Sequence, residues 1–186
     1  MQNINNVSPS EGEGYFVDTN VWYWVTYVAS KSFIPNGPRR YQTETYPNFI
    51  EQAVNNKALL YYSPLVLIEL ARVIERAEFE IFKAFKNDKS FHFKRFRNNE
   101  KQRKLVVSEI RAAWEQVRQL AIELPAKIGE DLEVEVLEAL EKYTIDGYDS
   151  LYYYFMKQSG IVNIITDDKD FRGVDGIELY SCFEQK

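Results

Sequence analysis

The sequence predicts an α/β fold with three layers, α/β/α, in which helices cover both faces of a central, mainly parallel sheet. Short apolar runs alternate along the chain with longer segments of helical periodicity, the pattern of strands joined by crossover helices. The chain has 186 residues, of which 45% are hydrophobic, so it can bury the core of one domain. We therefore predict a single domain over residues 14–186, with a helical and basic insertion around 75–125, and a flexible arm over 1–13.

Each predicted strand is a short apolar run bounded by residues that favour turns. Four such runs occur, at residues 15–17, 59–62, 161–165 and 177–180. Each predicted helix is a segment whose apolar residues recur at intervals of three or four positions. These segments are 20–28, 49–56, 64–85, 100–124, 130–142 and 148–158. The order of the two kinds of segment is what favours a parallel sheet.

Prolines and glycines indicate where the elements end. Pro64 suits the first turn of its helix, because the N–H that proline lacks would be unpaired there anyway. Pro125 stops the long helix before it, and Gly160 is a suitable C-terminal cap for the last helix. Residues 31–47 contain three prolines and a glycine and are predicted to be a loop, as are the polar, basic and aromatic residues 87–99.

The composition excludes several kinds of site. Cys182 is the single cysteine, so no intrachain disulfide can form, and this usage suits the reducing cytoplasm. His92 is the single histidine, which excludes mechanisms that need two histidines and most zinc sites. No run of about 18 apolar residues is present to span a membrane. The chemistry must therefore depend on carboxylates, hydroxyls and lysines.

The charges are segregated along the chain, although the net charge is only −5. Residues 83–104 contain nine lysines or arginines and two acids, whereas residues 130–141 contain six acids and no base. Local fields, not the net charge, decide which partners such a molecule attracts. An acidic overall balance therefore does not exclude a nucleic acid.

Five acidic residues are predicted to meet at one edge of the sheet. They follow predicted strands or lie in the first turns of predicted helices, and they are Asp18, Glu69, Asp149, Asp168 and Asp170. In parallel α/β sheets, ligands bind beyond the carboxyl ends of the strands. Each acid alone could be a turn former or a helix N-terminal charge. Together they would repel one another unless a cation neutralised them, and Mg²⁺ or Mn²⁺ prefers such oxygen ligands.

Four segments carry a resemblance to a known family. They are Phe16-Val17-Asp18-Thr19-Asn20, Ser63-Pro64-Leu65-Val66-Leu67-Ile68-Glu69-Leu70, Tyr148-Asp149-Ser150-Leu151 and Ile165-Thr166-Asp167-Asp168-Lys169-Asp170-Phe171. In this order and with these spacings they resemble the signature of PIN domains. That family includes metal-dependent ribonucleases and the VapC-type toxins of toxin–antitoxin pairs. The segments extend over most of the chain.

The resemblance implies a metal-dependent endoribonuclease that hydrolyses RNA phosphodiester bonds, with Mg²⁺ or Mn²⁺ as the cofactor. The residues that match the family's catalytic and metal-binding acids are Asp18, Glu69, Asp149 and Asp168, with Asp170 as a further metal ligand. Asn20 and Thr166 match its supporting polar positions. The implied partners are RNA, an antitoxin protein and a second copy of the chain in a homodimer. The loop at 31–47 and the basic stretch at 86–104 are longer than a compact member needs.

The segment around residue 95 allows two interpretations. Lys94, Arg95 and Arg97 alternate with phenylalanines, and cations with exposed rings suit binding to single-stranded RNA. In the alternative, the segment is a solvated loop whose phenylalanines pack against the neighbouring helices.

Two other functions remain open beside the ribonuclease. One is a PIN-like RNA-binding or regulatory module with weak catalysis. The other is a Mg²⁺-dependent phosphatase of another α/β family. Haloacid-dehalogenase-like phosphatases require a second aspartate two residues after the first, where this chain has Asn20 after Asp18.

Overall fold

The computed structural model describes residues 1–125 and 127–182 and has a six-stranded parallel sheet at its centre. The strands are β1 Gln2–Asn3, β2 Gly14–Val17, β3 Leu59–Tyr62, β4 Ile122–Glu123, β5 Asn163–Ile165 and β6 Glu178–Ser181. Their order across the sheet is β1-β6-β5-β2-β3-β4, and every neighbouring pair is parallel. The predicted α/β class with a parallel central sheet is confirmed.

Helices flank this sheet. They are α1 Thr19–Trp22, α2 Arg40–Asn55, α3 Pro64–Lys86, α4 Phe93–Arg97, α5 Glu100–Leu120, α6 Leu132–Lys142 and α7 Gly147–Ser159. Helix α1 continues into a π-helical segment, Tyr23–Tyr27, and a 3₁₀ turn, Val28–Ser30. Among the described residues, no helix has the length and apolar character needed to cross a membrane.

Helix α2 begins within the segment that the prolines predicted to be a loop. It starts at Arg40 and contains Pro47, which removes one main-chain hydrogen bond from the helix. The cost of that loss is offset by packing, because Tyr46, Phe49 and Ile50 on the same helix are almost fully buried. Tertiary burial therefore overrides the local preference of a single proline.

Two strands of two residues each were not predicted from the sequence. Strand β4 follows α5, which ends at Leu120 and not at 124, and β4 pairs with β3. Strand β1 pairs with β6, and Ile4 beside it is buried. Residues 2–4 thus add an edge strand to the sheet, where a frayed arm was expected, because Ile4 has core surface to bury.

The core consists of one large cluster around the sheet and one small cluster between α3, α4 and α5. Phe79, Phe96 and Val106 are the buried members of the small cluster. Phe96 is only 1% exposed, and it lies on α4 inside the segment predicted to be a loop. The phenylalanines of this segment therefore pack on the long helices, as the alternative interpretation expected.

Candidate metal centre

Asp18 follows β2 and is held by side chains from two parts of the chain. Because β2 and β5 are parallel neighbours, Asp18 and Thr166, which follow these strands, lie side by side. The Thr166 hydroxyl donates a hydrogen bond to Asp18 Oδ2. The Asn20 side-chain amide donates to the same oxygen at 2.6 Å and to Thr166 Oγ1 at 3.1 Å. These bonds fix the orientation of a buried carboxylate.

Glu69 lies on α3 and is also held by hydroxyl groups. The Thr19 hydroxyl donates to Glu69 Oε2 at 2.9 Å, and the Tyr152 hydroxyl donates to the same oxygen. The two hydroxyl oxygens are 2.8 Å apart. Thr19 and Tyr152 are both buried, so Glu69 has a defined position although it is itself partly exposed.

Asp149, Asp168 and Asp170 form a group of three carboxylates. One oxygen from each lies within 4.8 Å of the oxygens of the other two. Asp146 caps α7 by accepting hydrogen bonds from the main chain, including the Asp149 N–H at 3.0 Å, and this places Asp149 in the first turn. The main-chain N–H of Asp168 donates to Thr166 Oγ1 at 2.9 Å, which connects this group to Asp18.

Burial, together with the charges of neighbouring acids, raises the pKa of three of the acids. Burial is the main cause of a pKa of about 7 for Asp18, and nearby carboxylates raise it further against the lowering effect of the Thr166 hydrogen bond. Burial, followed by the charges of neighbouring aspartates, raises the pKa of Asp149 to about 8. The pKa of Asp170 is raised too, by burial and then by Asp168. In the native fold, these three carboxyl groups therefore lose their protons at a higher pH than free carboxyl groups do.

Acidic side chains line a pocket of about 730 Å³. Asp18, Glu69, Asp149 and Asp168 all contribute to its lining. Arg72 and Arg76 of α3 and the loop at residues 34–39 also contribute to the lining. The long loop noted in the sequence therefore shapes the approach to the acids.

The profile of the family described as PIN domain matches residues 39–177, about three quarters of the chain. The chain belongs to the PIN-domain family. The matched range excludes β2 and Asp18, and the structure is what places Asp18 beside the other acids of this PIN domain.

A solved structure supports the assignment of the fold. The crystal structure of VapBC2 from Rickettsia felis bound to a DNA fragment from their promoter is similar over 89% of this PIN domain and 96% of the matched chain. The TM-score is 0.50 and the sequence identity is 13%, so the likeness concerns the fold. A comparison with curated proteins finds no match.

The donor atoms in the pocket fit a hard divalent cation. Asp149, Asp168 and Asp170 offer three carboxylate oxygens at mutual distances that one ion can bridge. Asn20 adds an amide group, and its Oδ1 is buried with no hydrogen-bond partner among the described residues. No histidine or cysteine contributes to the described pocket lining, so the set favours Mg²⁺ or Mn²⁺ over zinc.

The structure brings together all five acids singled out in the sequence, together with Asn20 and Thr166. Asp167, the aspartate directly before Asp168, has a different role. It accepts hydrogen bonds from Tyr41, Gln42 and Tyr46 on α2 and so anchors that helix to the end of β5. The assignment of Asp168 to the pocket therefore agrees with the geometry.

Three residues close to the acids were not among the predicted site residues. Tyr152 is one of three consecutive tyrosines, and its contact with Glu69 joins positions too far apart in the chain for local periodicity to indicate. Arg72 and Arg76 do carry a signal. They follow Glu69 by three and seven positions on α3, so all three lie on one face of the helix.

The three cations predicted to bind RNA do not form one surface. Arg97 lines a groove with Arg72 and Arg76, whereas Arg95 lines a different groove with Phe85. Lys94 contributes to the described lining of neither groove. RNA binding by these cations stays a prediction.

Proposed function

We propose that this PIN domain is a metal-dependent endoribonuclease that hydrolyses RNA phosphodiester bonds at the acidic pocket. The observation that carries the proposal is the group of three carboxylates, Asp149, Asp168 and Asp170, whose oxygens lie within 4.8 Å of one another. Like charges at this separation destabilise the native state unless a cation binds between them. Membership of a family whose members are generally nucleases supports the same conclusion.

The bound ion would be held by Asp149, Asp168 and Asp170, with Asp18 and Glu69 at the same pocket. When bound, Mg²⁺ or Mn²⁺ supplies Lewis acidity, which lowers the pKa of a water molecule and stabilises charge on phosphate. The role of the protein is to position the carboxylates. Asn20 and Thr166 hold Asp18, and hydroxyl groups hold Glu69, so little reorganisation is needed when the substrate arrives.

The raised pKa values couple cation binding to the loss of protons. Asp18 and Asp149, with pKa values of about 7 and 8, hold protons for part of the time near neutral pH when no cation is present. A cation favours the ionised form, so its binding releases these protons. The affinity for Mg²⁺ or Mn²⁺ therefore increases as the pH rises from about 6 to about 8.

The proposal is tested by cleavage of a labelled single-stranded RNA with Mg²⁺, Mn²⁺ or EDTA. The parent protein is expected to cleave with either metal and not with EDTA, and Asp168→Asn to lose about 100-fold or more of the rate. The matched control is Asp175→Asn, an exposed aspartate that pairs with Lys142 away from the pocket, and it should retain the parent rate. Because the acids would activate water, the products should lack the 2′,3′-cyclic phosphate that attack by the ribose would leave.

Two results would contradict the ribonuclease. Stabilisation of the fold by Mn²⁺ without cleavage would favour a binding or regulatory module. Equal cleavage by the parent and Asp168→Asn would show that the activity belongs to another site or to a contaminant.

We further propose that the protein acts as a toxin and has an antitoxin partner. It is supported by the family and by the VapBC2 neighbour, which was crystallised with a DNA fragment from their promoter. Induced expression of the parent protein in bacteria should arrest growth, whereas expression of Asp168→Asn should not. Equal growth of both cultures would contradict the toxin role and leave the enzymatic proposal to the cleavage assay.

A further inference from the structure

The acidic pocket continues along α3 into a second groove. Glu69, Arg72 and Arg76 lie on one face of this helix, and all three line the acidic pocket. Arg72 and Arg76 also line the neighbouring groove, together with Phe93 and Arg97 from α4. A continuous surface therefore leads from the carboxylates to the small helix of the insertion.

The two arginines on α3 differ from the arginines beside them. Arg97 and Arg103 donate hydrogen bonds to Glu75 at 2.8 and 3.0 Å, so both are paired with a carboxylate of the protein. Among residues 1–125 and 127–182, Arg72 and Arg76 form no salt bridge and donate no hydrogen bond, and both are exposed. Their N–H groups are available to a ligand at the rim of a pocket that otherwise carries negative charge.

Aromatic rings accompany these two cations. The Arg76 guanidinium lies 5.4 Å from the centre of the Phe93 ring, and that of Arg97 lies 4.6 Å from the same ring. The Arg72 guanidinium lies 6.0 Å from the centre of the Tyr148 ring. Phe93 and Tyr148 are partly exposed. Guanidinium groups and partly exposed rings along one path are what an unpaired strand needs, since phosphates bind the cations and bases stack on the rings.

We propose that Arg72, Arg76 and Phe93 form a track that binds single-stranded RNA on one side of the bond to be cleaved and leads it into the acidic pocket. The inference rests on the proposed function, because it names the substrate class and the path to that site. Arg72, next to the acids, contacts the phosphate nearest to the cleaved bond. Arg76 contacts a phosphate further along, and Phe93 stacks on a base beyond it.

The partly exposed ring of Phe93 favours a single strand over a duplex. Phe93 lines the groove whose Arg72 and Arg76 also line the acidic pocket. In a duplex the faces of the bases are stacked inside the helix, so Phe93 would have nothing to stack on. An acidic peptide would satisfy the arginines but would leave the rings without a planar partner, so it serves as a competitor in the test.

The test measures the binding of a short fluorescent single-stranded RNA in EDTA, where no cleavage occurs, at two salt concentrations. Arg72→Ala with Arg76→Ala is expected to weaken binding about tenfold or more at low salt. It should also reduce the slope of log K against log salt by about 1.4, at about 0.7 per phosphate contact. Phe93→Leu, which keeps an apolar side chain in the small cluster, is expected to weaken binding about five- to tenfold with the salt slope unchanged. Arg72→Lys with Arg76→Lys should recover part of the affinity, because the charge is restored.

Controls separate this inference from the proposed function. Lys104→Ala with Arg111→Ala removes two exposed cations from α5, away from the pocket, and should leave RNA binding unchanged. Stabilisation by Mn²⁺ should be equal in the parent and in the Arg72/Arg76 variant, because the carboxylates are intact. If the parent cleaves RNA but the Arg72/Arg76 variant binds it equally well, the track is wrong and the ribonuclease stands.

Four other results would also overturn the track. They are equal losses in the α5 control, equal affinity for a duplex of the same sequence, equally effective competition by polyglutamate, and no RNA binding by the parent. Failure of the parent to cleave, with normal binding of RNA along these residues, would instead overturn the proposed function and leave the track standing.

Discussion

The two glutamates of α3 at positions 69 and 75 lie in opposite electrostatic surroundings. Glu75 is 7% exposed and accepts hydrogen bonds from Arg97 and Arg103, and the Arg97 contact holds its pKa below the usual range. Glu69 faces a pocket that also contains Asp18, and its hydrogen bonds come from uncharged hydroxyl groups. Within less than two helical turns, one carboxylate is neutralised by the protein and the other lies among like charges.

The two glutamates therefore represent two kinds of charge: Glu75 stabilises the fold, and Glu69 belongs to a cluster that is available to a ligand. The Glu75 network joins α3 to α4 and α5, and it adds to the stability that the small aromatic cluster provides. The acidic pocket subtracts from stability, because its carboxylates are crowded and partly desolvated. A destabilising cluster of carboxylates that the fold retains at one place is typical of a site where a bound cation supplies the missing positive charge.

The largest expected effect concerns the small cluster. Phe96→Ala should lower the free energy of unfolding by about 3 to 5 kcal/mol, because the ring is almost fully buried between α3 and α5. The matched control is Phe85→Ala on α3, a ring that is 84% exposed and should cost less than about 0.5 kcal/mol. Thermal or denaturant unfolding measures both. Equal melting temperatures for the two variants would show that the cluster does not support the insertion.

Next in size is a direct comparison of the two glutamates. Glu75→Gln should destabilise the metal-free protein by about 1 to 3 kcal/mol, because a buried carboxylate loses its charge-assisted bonds to two arginines. Glu69→Gln should be neutral or slightly stabilising under the same conditions, since it removes one of several like charges. The comparison of the two sites fails if Glu69→Gln is the more destabilising change without metal.

Asp18→Asn tests the cost of the crowded pocket through its dependence on pH. The native pKa of Asp18 is about 7, whereas an unfolded aspartate titrates near about 4, so the native state keeps a proton that the unfolded state loses. The contribution of Asp18 to stability is therefore fully present below about pH 4 and is lost as the pH rises through about 7. Asp18→Asn has no carboxyl group at this position, so it does not undergo this loss of stability. In metal-free buffer, its free energy of unfolding should therefore exceed that of the parent by about 1 to 3 kcal/mol at pH 8.

Addition of Mn²⁺ should reverse this ranking, because the parent binds the ion more tightly than Asp18→Asn does. Melting curves between pH 4.5 and 8, with and without Mn²⁺, provide the measurement. A difference between parent and variant that does not change with pH would show that Asp18 ionises normally in the fold.

The smallest effect is expected from the exposed cations of α4. Lys94→Ala with Arg95→Ala should change the free energy of unfolding by less than about 0.5 kcal/mol and weaken RNA binding only slightly, since neither residue lines the groove that contains Arg72. The same titration that tests Arg72 and Arg76 provides the measurement. A loss of affinity as large as in the Arg72/Arg76 variant would indicate that RNA binds along the groove that contains Arg95.

The meeting of the acids at one edge of the sheet could be predicted from the sequence, because the rules that place them are local. Asp18 and Asp168 follow strands, and Asp149 begins a helix, so the carboxyl edge of a parallel sheet gathers them in a predictable way. The contacts between Tyr152 and Glu69 and between Asp167 and Tyr46 join segments that only the tertiary fold brings together. No periodicity in the chain encodes such pairs.

The errors in the fold have equally specific causes. Strands β1 and β4 are two residues long, too short for an alternating pattern to be visible. Pro47 misdirected the prediction of α2, because the burial of Tyr46 outweighs one missing hydrogen bond. Arg72 and Arg76 could have been singled out from their spacing to Glu69. What was missing was the knowledge that no carboxylate neutralises them, and that depends on the folded structure.

The order of the strands determines when the acidic pocket can be completed during synthesis of the chain. Strand β2 lies between β3 and β5, and β5 begins only at Asn163, about 145 residues after Asp18. Translation proceeds from the N-terminus, so Asp18 leaves the ribosome long before Asp168 and Asp170 exist to complete the pocket. A nascent or prematurely terminated chain therefore lacks the assembled set of carboxylates. The proposed cleavage of RNA would therefore begin only after synthesis has passed Asp170.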